Sequence, residues 1–377
     1  MKRIVVLFLA FSLLLCGCAS IFDGSYVSTQ PNQVQGSLID IGDIQAASYD
    51  ELLSAVISLA ERGAKSGIIY VPMYDPERVA ADMERAARFA LLKSPIAAYA
   101  VQEITWELGT NNGQRAAAVN ITYIHDRAEI MKIRTVQNME QAAQMIYQEL
   151  GDSSTGIVLY VVDYNKTDFV QMVEEYAFRN PQLVMETPQV VANTYPNTGA
   201  SRVVELKFTY QNTREALRQM KNQVLPVYAS ATYRISEENS IMENFSRLYS
   251  FLMDRGFGEY TIETSNTPAY SLLWHGAGDS RAFATLYAAI CRYVDLDCKV
   301  VTGTRNGEPW YWNLIKIEEA YYHLDLLRSY ENGGFSLRVD REMNGYVWDY
   351  SAYPATPEEV DPSLQETQPL PTAPEEQ

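Results

Sequence analysis

Three short stretches carry the residue types of an acyl-transfer site. Gly278-Asp279-Ser280 puts a hydroxyl at the head of a run with helical patterning. Trp310-Tyr311-Trp312-Asn313 and Tyr322-His323-Leu324-Asp325 lie on two strand-like runs downstream. A serine attacks a carbonyl only when a positioned base takes its proton, and an aspartate assists by orienting that base. Trp310 cannot be the base, because an indole N–H donates and offers no acceptor. His275 lies five residues before Ser280, and His323 lies two residues before Asp325, on the same face if the run is a strand. A serine-dependent amidase or acyltransferase would therefore need Ser280 with His275 or His323. Without such a base the loss is on the order of a million-fold in rate.

The surrounding elements can be read outward from those residues. Asp279 is a helix N-cap residue, and Phe283, Leu286, Tyr287 and Ile290 supply a buried stripe behind it. A strand, a turn at TRNGEP and two more strands follow. Upstream, Asn239 to Asp254 is an amphipathic helix with Ile241, Phe245, Leu248, Tyr249 and Leu252 on one face. A loop from Thr264 to Tyr270 joins it to the glycine-bearing segment. Four of the five tryptophans fall between positions 274 and 348. Trp274, Trp310 and Trp312 either offer flat faces to a sugar ring or a peptide side chain, or pack as core.

This order of loop, helix and strands resembles the core of the transglutaminase-like superfamily, the papain-like cysteine hydrolases and acyltransferases. Gly278-Asp279-Ser280 is similar to the family's Gly-x-Cys, Trp310-Tyr311-Trp312-Asn313 to its His-Ala-Trp-Asn, and Asp325 to its orienting Asp. The resemblance covers roughly a third of the chain. It implies a site at Ser280, Trp310 and Asp325 in which serine has replaced the nucleophile and tryptophan the base. The implied outcome is a domain that has lost catalysis and holds a protein, peptide or cell-wall ligand. The enzyme reading with His323 or His275 stands beside it. A third reading makes the preceding units the partner-docking scaffold.

Those units are a tandem repeat. Asp50 to Gly63 and Glu140 to Gly151 are matching amphipathic helices, and GIIYVPMYDP matches GIVLYVVDYN as a buried strand with a turn. A second helix is expected to start near Asp75-Pro76-Glu77, and its counterpart near Lys166 or Thr167. Val119, Ile121 and Tyr123 in one copy, and Leu206, Phe208 and Tyr210 in the other, alternate with polar residues as half-buried strands do. Short helices at Asp126 and Thr213 close the units. His125 is a lone histidine beside a turn and reads as a capping or surface residue. The expected fold class is α+β: two tandem α-β-α-β-β units over 42–134 and 135–222, then a transglutaminase-like (papain-like) α+β domain over 223–345.

The N-terminus carries an address. Lys2 and Arg3 precede an apolar run from Ile4 to Leu15, too short to span a bilayer comfortably. Leu15-Cys16-Gly17-Cys18 is similar to the bacterial lipobox. Residues 1–17 are then a lipoprotein signal peptide, Cys18 the lipidated residue, and 18–41 a polar tether. An ordinary secretory signal and an uncleaved anchor are the alternatives. The lipid would hold the protein on an extracytoplasmic face of a bacterial membrane. A formal charge of −17 over 377 residues excludes nucleic acid as a partner. No cofactor motif and no metal-ligand spacing is seen. Cys291 and Cys298 could pair in an oxidising compartment or stay as buried thiols. Residues 346–377 are expected to be an acidic, proline-rich disordered tail, since 351–377 holds six prolines, six acidic residues and no Lys or Arg.

Overall fold

A computed structural model describes residues 44–254 and 266–364. The segments expected to be signal peptide and tether, with Cys18, lie outside the described residues, as does the expected tail beyond Leu364. Among the described residues, no helix is long and apolar enough to cross a membrane.

The first repeat unit runs β1 (Ile44–Gln45), α1 (Tyr49–Glu61), β2 (Ser66–Tyr70), α2 (Val79–Lys93), α3 (Pro95–Ala100), β3 (Val101–Asn111), β4 (Gln114–Tyr123) and α4 (Arg127–Ile130). The second runs β5 (Arg134–Asn138), α5 (Met139–Gly151), β6 (Gly156–Asp163), α6 (Phe169–Arg179), β7 (Gln189–Tyr195), β8 (Arg202–Thr209) and α7 (Arg214–Ala229). Their sheets have the same order, β1-β2-β4-β3 and β5-β6-β8-β7. Each copy thus opens with a short strand that the repeat reading missed. Two to five residues are too few to show a period.

Two boundaries differ from expectation. Helix α2 starts at Val79, because Asp75 caps a tight turn instead, accepting from the Glu77 N–H at 2.9 Å. Helix α7 is far longer than its counterpart α4 and runs straight into the third region. There Val224 and Tyr228 join a core with Phe245, Leu248, Phe283 and Leu286.

The third region contains α8 (Ile241–Met253), α9 (Pro268–His275), α10 (Ser280–Tyr293), β9 (Cys298–Arg305), β10 (Glu308–Ile317), β11 (Ala320–Leu324), α11 (Leu326–Glu331) and β12 (Tyr346–Trp348). Its sheet is antiparallel, in the order β11-β10-β9-β12. Helix α9 begins inside the expected loop, taking its last three residues from Pro268 to Tyr270. Its proline at the first turn starts it, and Gly276, at φ 68°, ends it.

Helix α10 is the centre of this region. Its residues from Ala282 to Cys291 are all buried, which encloses more of the helix than the one apolar stripe read from the sequence. Three buried polar contacts fix its position. Tyr228 Oη donates to the Ala289 carbonyl at 2.6 Å, Asn313 Nδ2 to the Ala284 carbonyl at 2.9 Å, and Tyr287 Oη to the Phe245 carbonyl at 2.7 Å.

The segment 346–364 is not tail. Strand β12 pairs with β9, Tyr346 and Trp348 pack against Trp312, and Val360 is buried in the core. Polar composition masked these few anchors, which depend on partners distant in sequence. Gly303 shows how closely β12 docks: a Cβ there would stand 2.2 Å from the Val347 carbonyl oxygen. Gly303→Ala should lower stability by about 1–3 kcal/mol. Gly109→Ala, in open space, should shift the urea midpoint little. Equal midpoints for the two variants would contradict the close docking of β12.

Candidate functional site

Asp279 caps α10 by accepting from the Ala282 N–H at 2.8 Å. Ser280 therefore sits in the first helical turn, where unpaired backbone N–H groups favour negative charge. It is 5% exposed. Its Oγ accepts from the Tyr311 backbone N–H at 3.3 Å. Among the described residues, no imidazole or carboxylate is bonded to that oxygen.

Strand β10 places Trp310 next to Tyr311, and the end of β11 delivers Asp325. The Trp310 indole Nε1–H donates to Asp325 Oδ2 at 2.7 Å. Tyr346 Oη donates to the same oxygen at 2.6 Å. The other oxygen, Oδ1, accepts from the Arg328 backbone N–H at 3.0 Å and caps α11. Asp325 is 2% exposed, so a carboxylate here needs this many donors to offset its lost hydration. Burial and the neighbouring Asp325 push the Tyr346 phenol well up, so it stays a donor. The Arg305 guanidinium lies 5.0 Å from the Trp310 ring centroid and pairs with Glu331.

The structure thus brings Ser280, Trp310 and Asp325 to one end of α10 and β10. It does not bring either candidate base to Ser280. His275 is exposed at the end of α9, edge-on to Tyr270. His323 is buried with both ring nitrogens occupied. Nδ1 accepts from the Trp312 indole at 2.9 Å, and Nε2 faces Asp340 Oδ1 at 2.8 Å. Because Trp312 can only donate, Nδ1 must be bare and Nε2 must carry the proton. His125, in the first repeat, stacks on Tyr99 at 4.0 Å.

The three tryptophans do not form one binding surface. Trp312 is 0% exposed and packs edge-on to Tyr346 and Trp348. Trp274 is exposed beside Tyr270. Trp310 is half-buried over Asp325 and also packs toward the Trp312 cluster. Cys291 and Cys298 are free thiols. Burial, then the hydrogen bond with Cys298, pushes the Cys291 thiol well up. Among the described residues, no group of His, Cys, Asp and Glu could hold a metal. Sequence reasoning missed Tyr346 and the Arg328 N–H as Asp325 donors. The first was assigned to the tail, and the second is a backbone group without a side-chain signal.

A family model for the transglutaminase-like superfamily matches residues 228–349. A solved structure described as "Crystal structure of a TGase" is similar at 9% identity, covering 60% of this chain and 68% of its own, with a TM-score of 0.22. No curated protein matches the chain.

Burial holds the His323 imidazole below its ordinary value of 6.5, against an upward pull from Asp340. Protonation would also turn Nδ1 into a donor facing the Trp312 N–H. The unfolded chain therefore takes up this proton first. Stability should be unaffected by this group above pH 6.5 and should fall as pH drops below it toward the lower folded value. Urea unfolding across that range tests the sign. His323→Gln, which cannot titrate, should flatten that limb, and an unchanged slope would count against it.

Proposed function

We propose, from the transglutaminase-like superfamily domain that residues 228–349 form, that the protein is a catalytically silent binding module. It is held on an extracytoplasmic membrane face by lipid on Cys18, and its ligand is a protein, peptide or cell-wall component. One observation carries the loss of catalysis: the Trp310 indole donates to Asp325 at 2.7 Å. An N–H donor thereby satisfies the aspartate where the family's histidine would accept a proton from the nucleophile. The indole cannot take that proton.

The serine-hydrolase alternative requires an imidazole acceptor at Ser280. His323 is committed to Trp312 and Asp340, and His275 stands exposed on another helix. The helix dipole alone favours an anion but does not deprotonate a serine hydroxyl at neutral pH.

The test is amine incorporation into a glutamine-containing substrate. The full chain should give no turnover above that of Ser280→Ala. Turnover that disappears in Ser280→Ala would overturn the reading.

A further inference from the structure

A cleft of about 790 Å³ lies beside α10, on the flank away from its core-facing residues. That volume is in the range of ligand pockets, roughly 300–1,000 Å³. Arg281 and Arg292 line it from α10, Lys299 from β9 and Arg179 from α6. Three arginines thus line one cleft in a chain whose net charge is −17, while the Lys299 ammonium lies over Tyr321 on the other face of β9. Glu174 and Glu175 sit on the α6 wall. Among the described residues, Arg179, Arg281 and Arg292 have no carboxylate within ion-pair distance, while Lys299 meets Asp297 at 3.3 Å. The Arg281 guanidinium lies over Phe178 and Tyr311, at 5.4 and 5.9 Å from the ring centroids. This lends the cleft flat apolar surface as well as charge.

The β9 wall has a further property. The β9–β10 turn is Asn306-Gly307, both at positive φ, with Arg305 opposite Glu308. A two-residue turn of this kind makes those flanking residues a hydrogen-bonded pair. Alternation then points Gly303, Val301 and Lys299 toward β10. Thr304, Thr302, Val300 and Cys298 direct their backbone N–H and C=O groups to the opposite edge. Strand β12 covers that edge only along 303–305, and the Thr302 N–H donates to Tyr353 Oη. The outward groups of Val300 are left facing the cleft. Arg281 and Arg292 are eleven residues apart on α10, about 16 Å at 1.5 Å per residue. That matches about five residues of an extended chain.

We infer that this cleft docks an extended acidic peptide segment of a partner protein, added as a strand along the free edge of β9. The backbone pairing supplies register, and carboxylates at alternate positions meet the arginines. The inference rests on the reading of this domain as a binding module and narrows it to one site and one ligand class.

The experiment is fluorescence anisotropy with a fluorescein-labelled Glu-Val-Glu-Val-Glu peptide and the full chain in detergent. Saturable binding is expected, weakened at least tenfold by combined Arg281→Glu and Arg292→Glu. Two further probes carry N-methyl groups on one or the other alternate set of amides. One should lose binding and the other keep it. Absence of saturable binding overturns the inference, as does equal binding of Lys-Val-Lys-Val-Lys. Full affinity in the double variant, or equal affinity of the two methylated probes, does the same. None of these results alters the turnover comparison, so this site can fail while the silent-domain reading stands.

Discussion

A buried carboxylate that must be satisfied organises the C-terminal region. Asp325 sits at the junction of β11 and α11, nearly out of solvent. Each oxygen has a separate demand. Oδ1 caps α11 through Arg328, and Oδ2 takes N–H from Trp310 and O–H from Tyr346. Removing a donor from such a group costs more than the bond itself, because the charge stays buried. Tyr346 belongs to β12, so satisfying Asp325 also ties the last strand to the sheet. Trp310 closes over the carboxylate and meets Arg305 on its outer face. Asp325 is thus the hub of a structural network.

The same logic extends to the neighbouring histidine. His323 is fixed by Trp312 on one side and Asp340 on the other. Trp310 and Trp312 are two residues apart on β10, and each directs its indole N–H to a polar group at the end of β11. The alternation of a strand gives both the same face. One strand therefore satisfies two buried acceptors with two donor-only side chains. Ser280 is left with a backbone N–H and the end of a helix.

Much of this was legible in the sequence, and the reasons are local. Asp279 caps α10, and the apolar run behind it marks a central helix. The repeat showed in the matching periods of α1 with α5 and of β2 with β6. The family resemblance pointed to Ser280, Trp310 and Asp325, and the Trp310 indole does meet Asp325 while Ser280 meets the Tyr311 N–H. What stayed hidden depends on contacts between distant segments. Tyr346 is an unremarkable tyrosine until β12 pairs with β9. Trp312 looked available until Tyr346 and Trp348 enclosed it. His323 kept its chemistry on paper because neither Trp312 nor Asp340 declares itself as its partner. The cleft needs α6 from the second repeat brought against α10, where Arg292 donates to the Arg179 carbonyl. No period or motif encodes that.

The central claim is that nothing takes the proton from the hydroxyl of Ser280. Its reactivity can be read without knowing a substrate. The full chain is treated with an alkyl fluorophosphonate, which labels serines whose proton is removed by a neighbouring base, and the Ser280 peptide is weighed by mass spectrometry. The account predicts that this peptide keeps its unmodified mass. A phosphonyl adduct on Ser280 at neutral pH would contradict it.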